Sequence, residues 1–201
     1  MGKLVVSEFM SVDGVVEDPG GSGGTAQGGW SFRNAAPGSL PYKFDELMAG
    51  DVLLLGRVTY EDFAAAWPAR ENTEFGARMN AMPKVVVSST LTGPTWRNTT
   101  VLSGDVARQV AKLKDRYDGD ILVFGSVALI DTLRERGLID EYRLMIHPVL
   151  LGEGKRLFRD GSVPADLELV GSLAVGPNVI VLTYRPVPRP ATAGEAPFTA
   201  S

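Results

Sequence analysis

The runs DVLLLG, KVVVSST and DILVFG share one pattern: a short, unbroken apolar stretch that stops abruptly at glycine or hydroxyl residues. A strand that is apolar at every position has no face to give to water, so each run predicts a strand buried on both sides. Helical patterns follow two of them. RVTYEDFAAAW follows the first, with its start expected near Thr59 and its stop at Pro68, and SVALIDTLRERG follows the third, from about Ser126 to Arg136 with Gly137 as its C-cap. Strand and helix alternate up to about residue 147, after which strands follow strands: DEYRLMIHPVLL, then a hairpin around VGPN in DLELVGSLAVGPNVIVLTYRP. This order predicts an α/β fold, a mostly parallel mixed sheet flanked by helices and closed by a C-terminal antiparallel hairpin.

The remaining segments fit that frame. KLVVSEF (Lys3–Phe9) is a central strand ended by SVDG, and EDPGGSGGTAQGGW holds six glycines between Gly20 and Gly29, the composition of a flexible loop. Leu40–Gly50 is a helix with Phe44, Leu47 and Met48 on its apolar face, which leaves Asp45 and Glu46 pointing to water. Asp105 caps the helix VARQVAKLKDRY.

A chain of 201 residues suits one domain, drawn at 1–186, with the Pro-, Ala-, Ser- and Thr-rich stretch 187–201 expected to be a disordered tail. The net charge of −4 supplies no overall basic field, so neither nucleic acid nor a membrane is an expected partner. With no cysteine there are no disulfides, thiolate metal sites or cysteine nucleophiles, and the single histidine, His147, has no visible metal or triad partners, so no metal is expected. The apolar run in MGKLVVSEFMSVDG is too short for a signal peptide or a membrane span, so the expected location is the cytoplasm.

In parallel sheets, ligands bind outside the carboxyl ends of the strands. Three strand ends qualify. In LLLGRVTYEDF, Gly56 and Arg57 stand at a helix start, where backbone N–H groups favour anions; the plain alternative is a turn glycine and a solvated arginine. In VVVSSTL, Ser88, Ser89 and Thr90 either donate to a phosphate or cap their own turn. In VFGSVALI, Gly125 permits close approach of a ligand or a neighbouring backbone, and Ser126 is expected to cap the helix. Neither GxGxxG nor a Walker motif is present.

GRVTYEDF, KVVVSSTL, FGSVALIDTLRERGLIDEYRLMIHPVLLGEGKRLF and the early SVDG resemble the dihydrofolate reductase-like family. Within it they resemble the branch of the C-terminal reductase domain of the bifunctional riboflavin-biosynthesis deaminase/reductase, from about Lys3 to Arg185. The resemblance implies an NADPH-dependent reductase acting on a C=N or C=O of a small heterocycle, pterin-like or ribityl-pyrimidine-like. It assigns Gly56, Arg57 and Thr59 to a first phosphate-binding turn, and Ser88 and Ser89 to the adenosine end with its 2′-phosphate. Gly125, Ser126, Val127 and Ala128 fall to the pyrophosphate turn, and Asp13 and Gly14 to the loop beside the nicotinamide. Gly14, Trp30 and Phe44 are the expected substrate-side residues.

Two departures stand out: many relatives carry Gly-Gly where this chain has Gly125-Ser126, and the pterin-orienting carboxylate of dihydrofolate reductases has no counterpart near Leu40–Pro41. Asp13 has two readings, the proton donor or the Asx turn of VDG, and Trp30 is either a cover for a planar substrate or a packing anchor. The second functional class is a non-catalytic nucleotide-binding or assembly module on the same fold. EYRLMIHPVLL and NVIVLTY are apolar on both faces without a following helix, so with the resemblance they point to a homodimer built on the last strands.

Overall fold

The computed structural model describes residues 1–188. The chain runs from β1 (Leu4–Ser11) through the glycine-rich loop and a short α1 (Trp30–Arg33) to α2 (Ser39–Ala49) and β2 (Gly50–Gly56). Next come α3 (Arg57–Ala66), α4 (Glu74–Ala81), β3 (Lys84–Val87), β4 (Thr99–Leu102) and α5 (Val106–Arg116). It ends with β5 (Asp120–Val123), α6 (Val127–Glu135), β6 (Glu141–His147), β7 (Asp166–Val175) and β8 (Val179–Val187). The strands form one eight-stranded sheet in the order β4-β3-β2-β5-β1-β6-β8-β7. The first six strands pair with one another only in parallel, and β8 joins antiparallel between β6 and β7. This is the mixed α/β architecture with a C-terminal antiparallel hairpin that the segment order implied, and it agrees with the dihydrofolate reductase-like fold that the resemblance implied. Among the described residues, no helix is long and apolar enough to cross a membrane.

Side-chain alternation explains why the central strands are apolar throughout. Along β2, Val52 and Leu54 pack with Val110 and Leu113 of α5 and Leu129, Ile130 and Leu133 of α6. Leu53 and Leu55 point the other way, to Leu47 of α2, Tyr60 of α3 and Met79 of α4. Burying both faces is what requires such runs. A smaller cluster of Met145, Val175, Val179 and Val181 closes with Ala36 under the last strands.

Several boundaries move. β1 continues to Ser11, two residues beyond Phe9, because its register with β6 holds from Val5↔Glu141 to Ser11↔His147. α4 falls in a stretch without a clear sequence signal; Thr73 starts it by accepting from the Gly76 N–H at 3.0 Å. α3 begins at Arg57, two residues before the expected start. Val187 is still paired, with Asp166, so the sheet reaches one residue into the expected tail; residues 189–201 of that tail lie outside the described residues. The glycine loop has a fixed centre. Asp18 accepts from the Gly23 and Thr25 amides at 2.8 and 3.1 Å, while Arg33 donates to the Gly28 and Gln27 carbonyls at 2.6 and 2.9 Å.

The buried face of α2 differs most from the expectation. Ser39, Lys43, Glu46 and Leu47 are buried, Met48 is exposed and Phe44 is half-buried against Phe75 of α4. Lys43 Nζ donates to Ser7 Oγ (2.6 Å) and to Glu46 Oε2, and lies 4.4 Å from the centroid of the Phe124 ring. Ser7 Oγ donates to Glu46 Oε2 at 2.7 Å, and Arg143 of β6 lies 3.6 Å from Glu46 Oε1. A carboxylate inside the fold needs such partners, and here a lysine, a serine and an arginine supply them.

A candidate dinucleotide cradle at the strand ends

Register brings the expected turns into one row. Leu53 of β2 is level with Leu122 of β5, so Gly56 comes level with Gly125, and Gly56 itself pairs with Val87, one residue before Ser88. On the other side, Val6 of β1 is level with Val123, which sets Glu8 beside Gly125. The row Glu8–Gly125–Gly56–Val87 thus crosses four adjacent strands, at the carboxyl ends of β5, β2 and β3 and three residues before the end of β1 at Ser11.

Two hydrogen bonds lock the middle of that row. Ser126 Oγ accepts from the Gly56 N–H at 2.9 Å, and Thr59 Oγ1 accepts from the Ser126 N–H at 2.9 Å. Gly125 and Ser126 are both left-handed, with φ of 58° and 60°. A Cβ on Gly125 would lie 3.0 Å from Thr59 Oγ1 and 3.1 Å from its methyl carbon, so a side chain at this left-handed position would be strained and would push Thr59 aside by a few tenths of an ångström. Ser126, a non-glycine residue held left-handed, stores strain of the kind that collects at ligand sites.

The lock changes the role expected of Ser126. Its hydroxyl does not cap its own helix, because it is committed to Gly56 of the neighbouring strand. Both α3 and α6 therefore begin without a side-chain cap, at the ends of adjacent strands. Uncapped N–H groups and the positive end of each helix dipole suit an anion. Gly56, Thr59, Gly125, Ser126 and Val127 are partly exposed there and Ala128 is exposed. Arg57 opens α3 but is engaged in place, with Nη1 at 2.7 Å from Glu61 on an exposed surface.

Ser88 caps its own turn: its Oγ accepts from the Thr90 and Leu91 amides at 3.1 and 2.9 Å. Ser89 is exposed beside it.

Asp13 does not fit the role of proton donor. One of its oxygens accepts from Ser11 Oγ at 2.6 Å and the Leu151 amide at 3.2 Å, the other from the Gly152 amide at 2.8 Å. The Ser11 hydroxyl, with those amides, holds its carboxyl down to about 2. Near neutrality such a group is ionised and has no proton to give. Its work is to tie the end of β1 to the loop after β6. Gly14 completes that tie with φ of 83° and a carbonyl that accepts from the Leu157 amide at 3.1 Å.

Two other substrate-side residues also sit differently from expectation. Trp30 is 0% exposed, its indole N–H donates to the Glu17 carbonyl at 2.8 Å and its ring meets His147 edge-on, which makes it a packing anchor with no open face. Phe44 faces α4, away from the row. Burial lowers the pKa of His147, and its ring lies against Phe9 and Trp30, which fits the structural role expected of it.

Glu8 and Lys43 went unremarked in the sequence, and Glu46, expected to point to water, is buried. Each left a signal: a charge inside the apolar run LVVSEFMS, and an i, i+4, i+7, i+8 stripe of Ser39, Lys43, Glu46 and Leu47 that is polar at three of its four positions.

The chain matches the RibD C-terminal domain family over residues 2–181. It belongs to that family. Among its relatives is YyaP of Bacillus subtilis (strain 168), an uncharacterized protein 27% identical over 186 residues, covering 90% of this chain and 94% of YyaP. A solved structure from Shewanella sp. PV-4, described as a candidate riboflavin biosynthesis protein, is 22% identical with a TM-score of 0.72 and covers 93% of this chain and 99% of its own. Dihydrofolate reductase from Enterococcus faecalis, solved with NADP(H), is 17% identical with a TM-score of 0.55, covering 92% and 96% of the two chains.

Two outcomes test this geometry. Ser126→Ala removes the acceptor for Gly56 N–H but keeps the left-handed backbone, and should cost about 1 kcal/mol in urea unfolding. Ser126→Gly loses the same bond yet relieves strain of roughly 1 kcal/mol, so it should lie near the wild type. Wild-type stability of Ser126→Ala would show that the lock contributes nothing. Asp13→Asn should be less stable than the wild type at pH 7. Because folding lowers the Asp13 pKa, its contribution is complete above the unfolded value and disappears as pH falls through the folded one. The gap between the two proteins should therefore close between about pH 5 and pH 2. A gap independent of pH would remove the Asp13 account.

Proposed function

We propose that this protein is an NADPH-dependent reductase that delivers hydride to a C=N or C=O of a small heterocycle, pterin-like or ribityl-pyrimidine-like. One observation carries the reading: the uncapped starts of α3 and α6 are bound to each other across adjacent strand ends by Ser126, leaving two sets of free N–H groups around a glycine where a side chain would be strained. The pyrophosphate of a dinucleotide matches that arrangement in charge and in its need for close backbone approach. The amides of Arg57, Val127 and Ala128 would hold it, and Gly125 leaves it room. Arg57 would exchange Glu61 for a phosphate, and the Ser88-Ser89 turn beside it would meet the adenosine end. The cofactor supplies the hydride; the protein binds and orients it and shapes the electrostatics of the site.

The purified protein tests the reading directly. It should oxidise NADPH in the presence of at least one member of a panel of pterins, ribityl-pyrimidines and quinones. Binding of NADPH with no turnover across the panel would favour a non-catalytic nucleotide-binding module instead. NADPH should bind about ten-fold or more tightly than NADH, because one charge-assisted hydrogen bond to the extra phosphate contributes roughly 1.5–3 kcal/mol. Arg57→Ala should erase most of that preference; equal dissociation constants for the two cofactors in wild-type calorimetry would remove the claim.

We also propose a homodimer through the outer strands. Leu169 and Leu173 of the edge strand β7 are 53% and 52% exposed, and Ile180 of β8 is 38% exposed. Val181, by contrast, is buried against the Met145 cluster and cannot face a partner. Light scattering at micromolar concentration should give twice the 21.5 kDa chain mass, and Leu173→Lys should give monomers that retain their fold. A wild-type mass at the monomer value would contradict the dimer.

A further inference from the structure

β1 carries one acid that no structural role explains. Glu8 lies in a strand flanked by β5 and β6, in a sheet covered on both faces, and is 3% exposed. Its Oε1 is buried without a hydrogen-bond partner. Glu46 Oε1 and Asp131 Oδ2 also lack a hydrogen bond, but those acids are ion-paired, Glu46 with Lys43 and Arg143 and Asp131 with Arg134 and Arg159, as Glu141 is with Arg143; among the described residues Glu8 has no cation within ion-pair distance. A valine or leucine would pack the position at lower cost, as Leu4, Val5 and Val6 do in the same strand. Its place is also specific, because the β1–β5 register sets Glu8 level with Gly125, on the flank of the locked turn.

The surroundings favour the neutral form of this carboxyl. Burial pushes its pKa well above the ordinary range, and neighbouring Glu46 adds to that. Lys43 and the Gly125 amide pull the other way without cancelling it. Asp13 is shifted the opposite way: donors lower its pKa to about 2, whereas at Glu8 burial outweighs Lys43 and the Gly125 amide. Environments that drive two carboxyls apart in this way mark out which of them can act as an acid.

We propose that Glu8 is the proton donor of the reductase site. This rests on the reductase reading above. As hydride from the reduced nicotinamide bonds to the electrophilic carbon, the π pair of the substrate C=N or C=O moves onto nitrogen or oxygen. That atom takes the Glu8 proton as the carboxyl O–H bond breaks. NADPH becomes NADP⁺, the substrate gains two electrons and two hydrogens, and Glu8 is left as a carboxylate that recovers a proton from solvent. The unpartnered Oε1 is the atom left for the substrate to meet.

Infrared spectroscopy on protein with isotope-labelled glutamate tests the protonation state without a substrate. At neutral pH the wild type should show the carbonyl stretch of a protonated glutamic acid, absent in Glu8→Gln. A spectrum with every glutamate ionised would overturn the proposal. With whichever panel compound the wild type reduces, Glu8→Gln should lose about 100-fold or more in kcat, the usual range for a lost general acid. NADPH affinity and KM should stay close to the wild type. Wild-type kcat should fall as pH rises past the Glu8 pKa, the Gln variant should lose that limb, and Glu8→Asp should recover part of the rate. A Glu8→Gln protein with wild-type kcat and pH profile overturns the proposal while leaving the reductase reading intact. Failure of the wild type to oxidise NADPH with any panel compound overturns both.

Discussion

The structure depends on one small cross-link. Ser126 accepts from Gly56 with its hydroxyl and donates to Thr59 with its amide, so two helices that start on neighbouring strands share one serine. The consequence is chemical as well as mechanical. A serine spent on its neighbour cannot cap its own helix, and two helix starts are left with free donors pointing out of the same sheet edge. A glycine in place of Ser126 would avoid the left-handed strain that this chain carries there. In exchange this chain has a fixed hydroxyl between its two turns.

Around that cross-link the protein handles buried charge in two ways. On the α2 side, Ser7, Lys43, Glu46 and Arg143 form an ion-paired network that joins a helix to the middle of the sheet, with Glu46 Oε1 facing Arg143 at 3.6 Å without a hydrogen bond. Breaking one member would leave the others unpaired in low dielectric, which makes such networks rigid supports. On the α6 side, Glu8 stands without that help beside the turn where a ligand would lie. A sheet that ion-pairs one acid and leaves the next unpaired separates support from chemistry.

The sequence made the skeleton legible because its strands are apolar on both faces, a pattern few other folds require. The ends of those strands followed, and with them Gly56, Ser88 and Gly125 in one row. Asp13 was legible as a turn former, but its other partners, Leu151 and Gly152, lie 138 and 139 residues away and nothing local announces them. The face of α2 was misplaced because hydropathy selects Phe44, Leu47 and Met48, whereas the helix buries a lysine and a glutamate that neutralise each other. Glu8 was passed over for a similar reason: a charge within an apolar run reads as a weak strand until both flanking strands are known to cover it. Trp30 offered two readings of comparable force, and only tertiary packing against His147 separated them.

The account stands on the claim that the two glycine turns form one anion cradle. Backbone amide chemical shifts recorded while NADP⁺ is titrated into the labelled protein test it most directly. The account predicts saturable shifts concentrated at Gly56, Arg57 and Gly125 to Ala128, with the exposed hairpin residues Leu169 and Leu173 unmoved. Saturable shifts that leave those turns untouched and gather elsewhere, for instance along the surface formed by Tyr60, Leu91 and Pro94, would contradict it.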